Sequence, residues 1–177
     1  MTNILKTGYY IFSTIFGIAQ IIAIIGLIIW LRFTANPAND GAEVKCETQP
    51  TSLTSITIPA TVEINGAELD VTSVGSSAFH GCDNLQSIEI PSGVTSIGNF
   101  AFSYCNNLTS IEIPSGVTSI GSEAFSYCSN LERIQFEDES QLTSIGNNAF
   151  YDCSSLTSIQ IPVSVTIIDN FAFYNCS

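Results

Sequence analysis

The sequence predicts a mainly β solenoid of about five 23-residue units, preceded by a single transmembrane α-helix. Two observations lead to this fold class. A pattern of alternating apolar and polar residues recurs at a fixed period through most of the chain, and a long uncharged run lies near the N-terminus. We therefore divide the 177 residues into a short flank (1–6), a transmembrane helix (7–32), a linker (33–50) and a repeat domain (51–177).

The uncharged run from Thr7 to Leu31 is long enough to cross a bilayer as a helix. Its 25 residues would span about 37 Å at the helical rise, against about 30 Å of hydrocarbon. Tyr9, Tyr10 and Trp30 lie near its ends, where aromatic rings favour the lipid–water interface. An uncleaved anchor is favoured, because a signal peptide has an apolar region of only about 7–15 residues. A long cleaved signal and a buried core helix remain as alternatives.

The flanking charges orient this segment only weakly. Lys6 and the terminal amine precede it, whereas Arg32 and Lys45 follow it. The positive-inside rule then leans towards a cytoplasmic N-terminus and an extracellular repeat domain on a single-pass membrane protein. The following segment, 33–50, is predicted as a linker because Pro37, Gly41 and other turn residues break any periodic pattern.

The repeat is visible as near-identical copies. LQSIEIPSGVTSIGNFAFSYCNN, at 85–107, recurs as LTSIEIPSGVTSIGSEAFSYCSN at 108–130, and two more copies fill 131–155 and 156–177. An earlier copy begins at Leu53, so the leading leucines are spaced by 32, 23, 23 and 25 residues. Since one such unit cannot bury its own apolar side, units must stack to form a continuous core.

Within one unit, apolar residues alternate with polar ones at the start. Leu108, Ile111 and Ile113 face inward, which predicts a short strand with one buried face. Pro114 and then Gly121 are predicted to turn the chain. Stacking would place equivalent residues in columns: an aromatic spine, a column of alanines beside it and a ladder of inward, free cysteines. The spine is Phe79, Phe102, Phe125, Phe150 and Phe173, and the cysteines are Cys82, Cys105, Cys128, Cys153 and Cys176.

The pattern L-x-x-I-x-I-P-x-x-V-x-x-I-G-x-x-A-F-x-x-C resembles the BspA-like, Treponema-type leucine-rich repeat over about residues 51–177. The resemblance implies a leucine-rich-repeat stack with a cell-surface location and a role in adhesion or protein binding. Residues 61–74 resemble the family's N-terminal unit, with two strands joined at Asn65-Gly66, a favoured hairpin turn. Such a hairpin would cover the first end of the stack.

The charge excludes one class of partner. The net charge is −12, and from Cys46 onward Arg133 is the only basic residue against fourteen acidic ones. Such a domain repels phosphate backbones, so we do not expect nucleic-acid binding.

A candidate binding face follows from the outward positions of the stacked strands, on the side predicted to be concave. Its residues are Thr57, Glu89, Glu112, Arg133, Gln135 and Gln160. They could contact an unidentified protein or glycan, or could serve only as a solvated face. Without an exposed aromatic residue on this face, each contact would be weak and reinforced by repetition.

No catalytic, cofactor or metal site is predicted. His80 is the only histidine and is expected at the surface, so no Ser-His-Asp or Cys-His arrangement is expected unless a partner supplies one. Glu137-Asp138-Glu139 is predicted as a solvated loop, with weak calcium binding as the alternative. Cys46 is either a free thiol or a site of intermolecular pairing or lipidation.

The sequence stops inside a repeat, at Asn175-Cys176-Ser177, where a polar cap is expected instead. We therefore predict a longer protein. The leading functional prediction is a membrane-anchored surface protein for adhesion or protein binding. The alternative is a structural spacer that displays a further domain.

Overall fold

The computed structural model describes residues 10–13, 20–24, 27–29, 31–36, 41–46, 54–64 and 67–176, the first five ranges for their backbone only. All regular elements in these ranges are strands. They are β1 Tyr10–Ser13, β2 Gln20–Ile24, β3 Leu27–Ile29, β4 Leu31–Asn36, β5 Gly41–Cys46, β6 Ser55–Thr57, β7 Thr61–Ile64, β8 Ala67–Val74, β9 Ser87–Glu89, β10 Ser96–Ile97, β11 Ser110–Ile113, β12 Ser119–Ile120, β13 Arg133–Phe136, β14 Ser144–Ile145 and β15 Ile167–Ile168.

The repeat units form a β-solenoid of about four turns. The second short strand of each unit pairs in parallel with its equivalent in the next, in the order β15-β14-β12-β10-β8. The register is that of the sequence repeat, as Ile97 is opposite Ile120 and Ile120 is opposite Ile145. The first strands of the units pair as β6 with β9 and β11 with β13. The stacked repeat predicted from the sequence is confirmed.

The start of the solenoid holds the predicted pair of strands and one element that differs from the prediction. β7 and β8 pair antiparallel, while the Asn65-Gly66 turn lies outside the described residues. β5 pairs in parallel with the second half of β8, on the edge opposite β10, and pairs antiparallel with β4. Part of the predicted linker is therefore strand. The sequence GAEVKC alternates small or apolar residues with charged ones, which suits a strand better than the nearby prolines suggested.

The N-terminal apolar segment also differs from the helix predicted for 7–32. β1 pairs antiparallel with β2, and β2 with β3. These strands are rich in isoleucine, whose branched Cβ favours extended backbone. Across the ranges that are described, none of the elements is a helix of the length and apolarity needed to cross a membrane.

The core follows the predicted columns. Phe79, Phe102, Phe125 and Phe150 are fully buried, and neighbouring spine rings stack with centroids 5.1–5.2 Å apart and planes within 9°. The alanine that precedes each spine phenylalanine is buried as well. Each unit thus contributes one ring to a single continuous stack, which fixes the spacing and register of the turns.

Glycines allow the turns to approach closely at a second column. A Cβ on Gly121 would lie 2.7 Å from the backbone N of Asn99, and one on Gly98 2.6 Å from that of Ser76. Gly146 is equally close to the Gly121 and Ser122 backbone. The sequence predicted only a turn at Gly121. The structure shows that the missing side chain lets one turn pack against the next.

Candidate binding surface

The predicted candidate face is built by alternation along the first strand of each unit. In β9, Ile88 is buried while Ser87 and Glu89 are exposed, and β6 shows the same pattern. The parallel register places Thr57 opposite Glu89. It likewise places Glu112 opposite Gln135.

Hydrogen bonds along this face connect side chains both between neighbouring units and within one strand. The Thr57 hydroxyl donates a hydrogen bond to the Glu89 carboxylate at 2.9 Å. The Arg133 guanidinium donates to the side-chain oxygen of Gln135. Glu89 therefore accepts from a neutral partner, so its negative charge is not neutralised by this contact. The face presents carboxylates, hydroxyls and amides, which suits a ligand that supplies hydrogen-bond donors.

The ladder of first strands ends at β13, and a cleft of about 650 Å³ lies between it and residues 158–163. Arg133, Gln135 and Gln160 from the candidate face line this cleft. Its other lining residues are Ile134, Phe136, Glu137, Asp138, Glu139, Ser140, Ser158, Ile159, Ile161, Pro162 and Val163. The structure thus brings three of the six predicted residues together in a concave region that has both apolar and acidic side chains.

One acidic residue of the cleft has a structural contact that the sequence did not reveal. The Glu137 carboxylate is half-buried and accepts a hydrogen bond from the Ser115 backbone N–H at 2.9 Å. Asp138 and Glu139 are exposed, as expected of a solvated loop, whereas Glu137 is partly withdrawn from solvent. Within the part of the chain that is described, there is no group of three or more His, Cys, Asp or Glu side chains that could hold a metal ion.

The cysteine ladder is confirmed as a set of free thiols, four buried and Cys176 half-buried. It does more than fill space. The Cys105 Sγ donates a hydrogen bond to the Phe79 carbonyl oxygen at 3.1 Å. In the next two turns, Cys128 donates in the same way to the Phe102 carbonyl oxygen and Cys153 to that of Phe125. Burial raises the pKa of the Cys105 and Cys153 thiols to about 12. The thiols therefore stay protonated and unreactive, and each ties one turn to the backbone of the previous one.

A partly exposed aromatic column, in which Tyr127 and Tyr151 are half-buried, was not predicted from the sequence. It consists of His80, Tyr104, Tyr127, Tyr151 and Tyr174. The rings of Tyr104 and Tyr127 stack at 4.5 Å and those of Tyr151 and Tyr174 at 5.2 Å, but Tyr127 and Tyr151 are inclined by 58°. His80 is exposed, as predicted.

The break in this column has a visible cause in the sequence. Tyr104 and Tyr127 are the second residue after the spine phenylalanine, whereas Tyr151 and Tyr174 are the first. An aromatic or imidazole ring within two residues of the spine in all five copies was the signal that could have revealed the column.

The family comparison matches residues 46–177 to the BspA type leucine rich repeat region, in six copies. Among solved structures, the chain is similar to the T. pallidum leucine rich repeat protein, with 33% identity and a TM-score of 0.72 over 82% of this chain. The match covers 64% of that protein. The pneumococcal vaccine antigen PcpA shares the fold at 20% identity and a TM-score of 0.66, over 84% of this chain and 46% of that one. The comparison with curated proteins found no match.

Proposed function

The chain belongs to the family of BspA-type leucine-rich-repeat proteins, and on that premise we propose that it is a membrane-attached surface protein that binds other proteins through its candidate face. The observation that carries the proposal is the set of exposed polar side chains on the two strand pairs β6–β9 and β11–β13, together with a cleft of about 650 Å³ beside β13. A rigid stack of units presents these side chains in fixed register, so a partner can make repeated contacts at little cost in ordering.

The charge of the face indicates the character of the partner. Glu89 and Glu112 are exposed at equivalent positions of consecutive units, and the domain carries one basic residue against fourteen acidic ones from residue 46 onward. A partner with a basic patch would be attracted at long range and would pair with these carboxylates on contact. Glycans are a second class of ligand for such a polar face, and nucleic acids are disfavoured by repulsion.

The test is the double substitution Glu89→Lys/Glu112→Lys in the full-length chain displayed on cells. Adhesion of the cells to an array of purified extracellular proteins should fall by about tenfold on the spots that the unaltered chain binds, because each reversal replaces attraction by repulsion. The matched control is Glu63→Lys/Asp70→Lys, which makes the same change in net charge on β7 and β8 and should leave adhesion within twofold. An equal loss of adhesion in the two variants would mean that net charge alone causes the effect. Unchanged adhesion in Glu89→Lys/Glu112→Lys would refute binding through the candidate face and favour a spacer role.

We further propose that the apolar segment within 7–32 attaches the repeat domain to a membrane. The support is its length and lack of charge, with 25 uncharged residues between Lys6 and Arg32. The edges of short strands such as β1 and β3 would leave backbone groups without partners in lipid, whereas a helix pairs them within the segment. We therefore expect this segment to be helical when it lies in a bilayer.

Membrane fractionation tests the attachment. The full-length chain should remain in the membrane pellet after alkaline carbonate extraction. The variant Ile21→Lys/Ile24→Lys should move to the supernatant, because each lysine near the middle of a span costs about 2.5–3.5 kcal/mol of insertion free energy. Protease treatment of intact cells should digest the repeat domain if it lies outside. Extraction of the unaltered chain by carbonate would refute the attachment.

A further inference from the structure

A second cleft, of about 340 Å³, runs along the aromatic column across three consecutive units. It is distinct from the candidate face, because its lining residues all follow the spine phenylalanines. One wall is formed by the second residue after each phenylalanine and the other by the fourth. These residues are Tyr104, Tyr127 and Asp152 on the first wall, and Asn106, Ser129 and Ser154 on the second.

The backbone of the first wall makes its side chains unusual. Tyr104, Tyr127 and Asp152 all have φ of 60–61°, and the equivalent residues at the two ends, Gly81 and Asn175, share this left-handed conformation. Glycine, asparagine and aspartate adopt it readily, whereas a bulky residue seldom does. Two tyrosines therefore occupy positions at which the local backbone favours smaller residues. Their rings form an aromatic wall that the turn itself does not require.

The aromatic wall ends at a carboxylate. Asp152 takes the place in the third unit that tyrosine has in the two preceding ones, so its carboxylate follows the Tyr127 ring along the cleft. The Asn175 amide donates a hydrogen bond to it, which is a neutral contact. Loss of hydration raises the pKa of the Tyr127 hydroxyl, and its coupling to the neighbouring Tyr104 and Tyr151 hydroxyls and to the Asp152 carboxylate raises it further, so that it remains a neutral donor.

We propose that this cleft binds the cationic side chain of an arginine or lysine in a segment of a partner protein. A guanidinium over the face of the Tyr127 ring that is turned away from Tyr104, where the inclined Tyr151 ring breaks the stack, would gain a cation–π contact, and its charge would meet the Asp152 carboxylate at the end of the wall. The inclination of 58° between Tyr127 and Tyr151 interrupts the ring stack beside this carboxylate. Asn106, Ser129 and Ser154 supply oxygen atoms on the opposite wall. The site does not depend on the candidate face.

The probe is acetyl-Gly-Arg-Gly-amide, titrated into the full-length chain in detergent micelles and followed by NMR of the tyrosine rings. The matched peptide contains citrulline, which keeps the shape of arginine but not its charge. The arginine peptide should shift the Tyr104 and Tyr127 signals and bind roughly tenfold more tightly than the citrulline peptide, since aromatic and carboxylate contacts both favour the charge.

Two variants locate the site. Asp152→Asn should weaken the arginine peptide roughly tenfold, and asparagine suits this backbone because Asn175 has φ of 58° at the equivalent position. Asp70→Asn removes the same charge on β8 and should change the affinity less than twofold. Equal affinity for the two peptides, or unchanged affinity in Asp152→Asn, would overturn the proposal. A neutral sugar, chitotriose, that shifts the same rings more strongly than the arginine peptide would also overturn it. Glu89→Lys/Glu112→Lys should leave this binding intact, which separates it from the proposed function of the candidate face.

Discussion

Truncation of one spine ring is the most direct test of how the solenoid is held together. Phe125 is fully buried, and its ring stacks on Phe102 at 5.1 Å and on Phe150 at 5.2 Å. Phe125→Ala removes this ring from the middle of the stack, where neighbours on both sides are held by their own units and cannot close the gap. Comparable substitutions cost about 3–5 kcal/mol, so we expect the free energy of unfolding to fall by about 4 kcal/mol.

Phe173 provides the matched control, because it is only partly buried and stacks on one ring, Phe150. We expect Phe173→Ala to cost about 1–2 kcal/mol, since it loses one stacking contact and less buried area. For a chain of this size, 4 kcal/mol corresponds to a fall in Tm of about 8–16 °C. Thermal unfolding followed by far-UV circular dichroism measures both variants. A loss for Phe125→Ala below about 1 kcal/mol, or equal to that for Phe173→Ala, would refute the argument that the continuous stack stabilises the fold.

Two further predictions concern the packing between turns and the buried thiols. Gly121→Ala should destabilise the protein by about 1–3 kcal/mol, because its Cβ would overlap the backbone of the previous turn. Gly93→Ala, whose Cβ would lie 3.4 Å from the nearest atom, should cost less than about 1 kcal/mol. Urea unfolding compares the two variants, and equal losses of stability would contradict the close approach of the turns at Gly121. The contribution of these two thiols to stability should be constant below about pH 9 and fall between pH 9 and 12, since the unfolded thiols ionise from their ordinary pKa of 9.0 while folded Cys105 and Cys153 stay protonated to about 12. Between these pH values each such thiol lowers the free energy of unfolding by about 1.4 kcal/mol per pH unit. The Cys105→Ala/Cys153→Ala variant should therefore lose stability less steeply as the pH rises. An equally steep loss in that variant would show that these thiols are not its cause.

The features of the fold that could be predicted are those that repeat. Identical spacing placed the spine phenylalanines in one column, because any stack in constant register superimposes equivalent residues. Alternation in Leu108, Ile111 and Ile113 likewise sufficed to assign the buried face of a strand, and all three are buried. The sequence could not show that Gly121 is required for clearance, since a turn and a close approach both favour glycine.

The predictions that failed or fell short lie where the repeat changes or ends. The linker prediction rests on Pro37, Gly41 and other turn residues, and it does not include the pairing of β5 with β8, whose residues lie about thirty positions further along the chain. The contact of Glu137 with Ser115 depends on how a two-residue insertion folds back. The tyrosine column was missed because its members change position relative to the spine, so a search by fixed spacing separates Tyr127 from Tyr151.

The constant parallel register has a consequence for how such a chain can change length. Residues 85–107 and 108–130 have almost the same sequence, and each meets its successor through the same pairs, such as Ile97 with Ile120. In a chain in which residues 108–130 were duplicated, the single new junction, between the two copies, would therefore repeat the pairs that now join 85–107 to 108–130. The repeat array can therefore lengthen by whole units without substitutions in the neighbouring units. An insertion of any other length must be accommodated in a loop, as in the 25-residue copy at 131–155. The reach of the molecule can thus vary between descendants of one gene while the packing inside each turn remains the same.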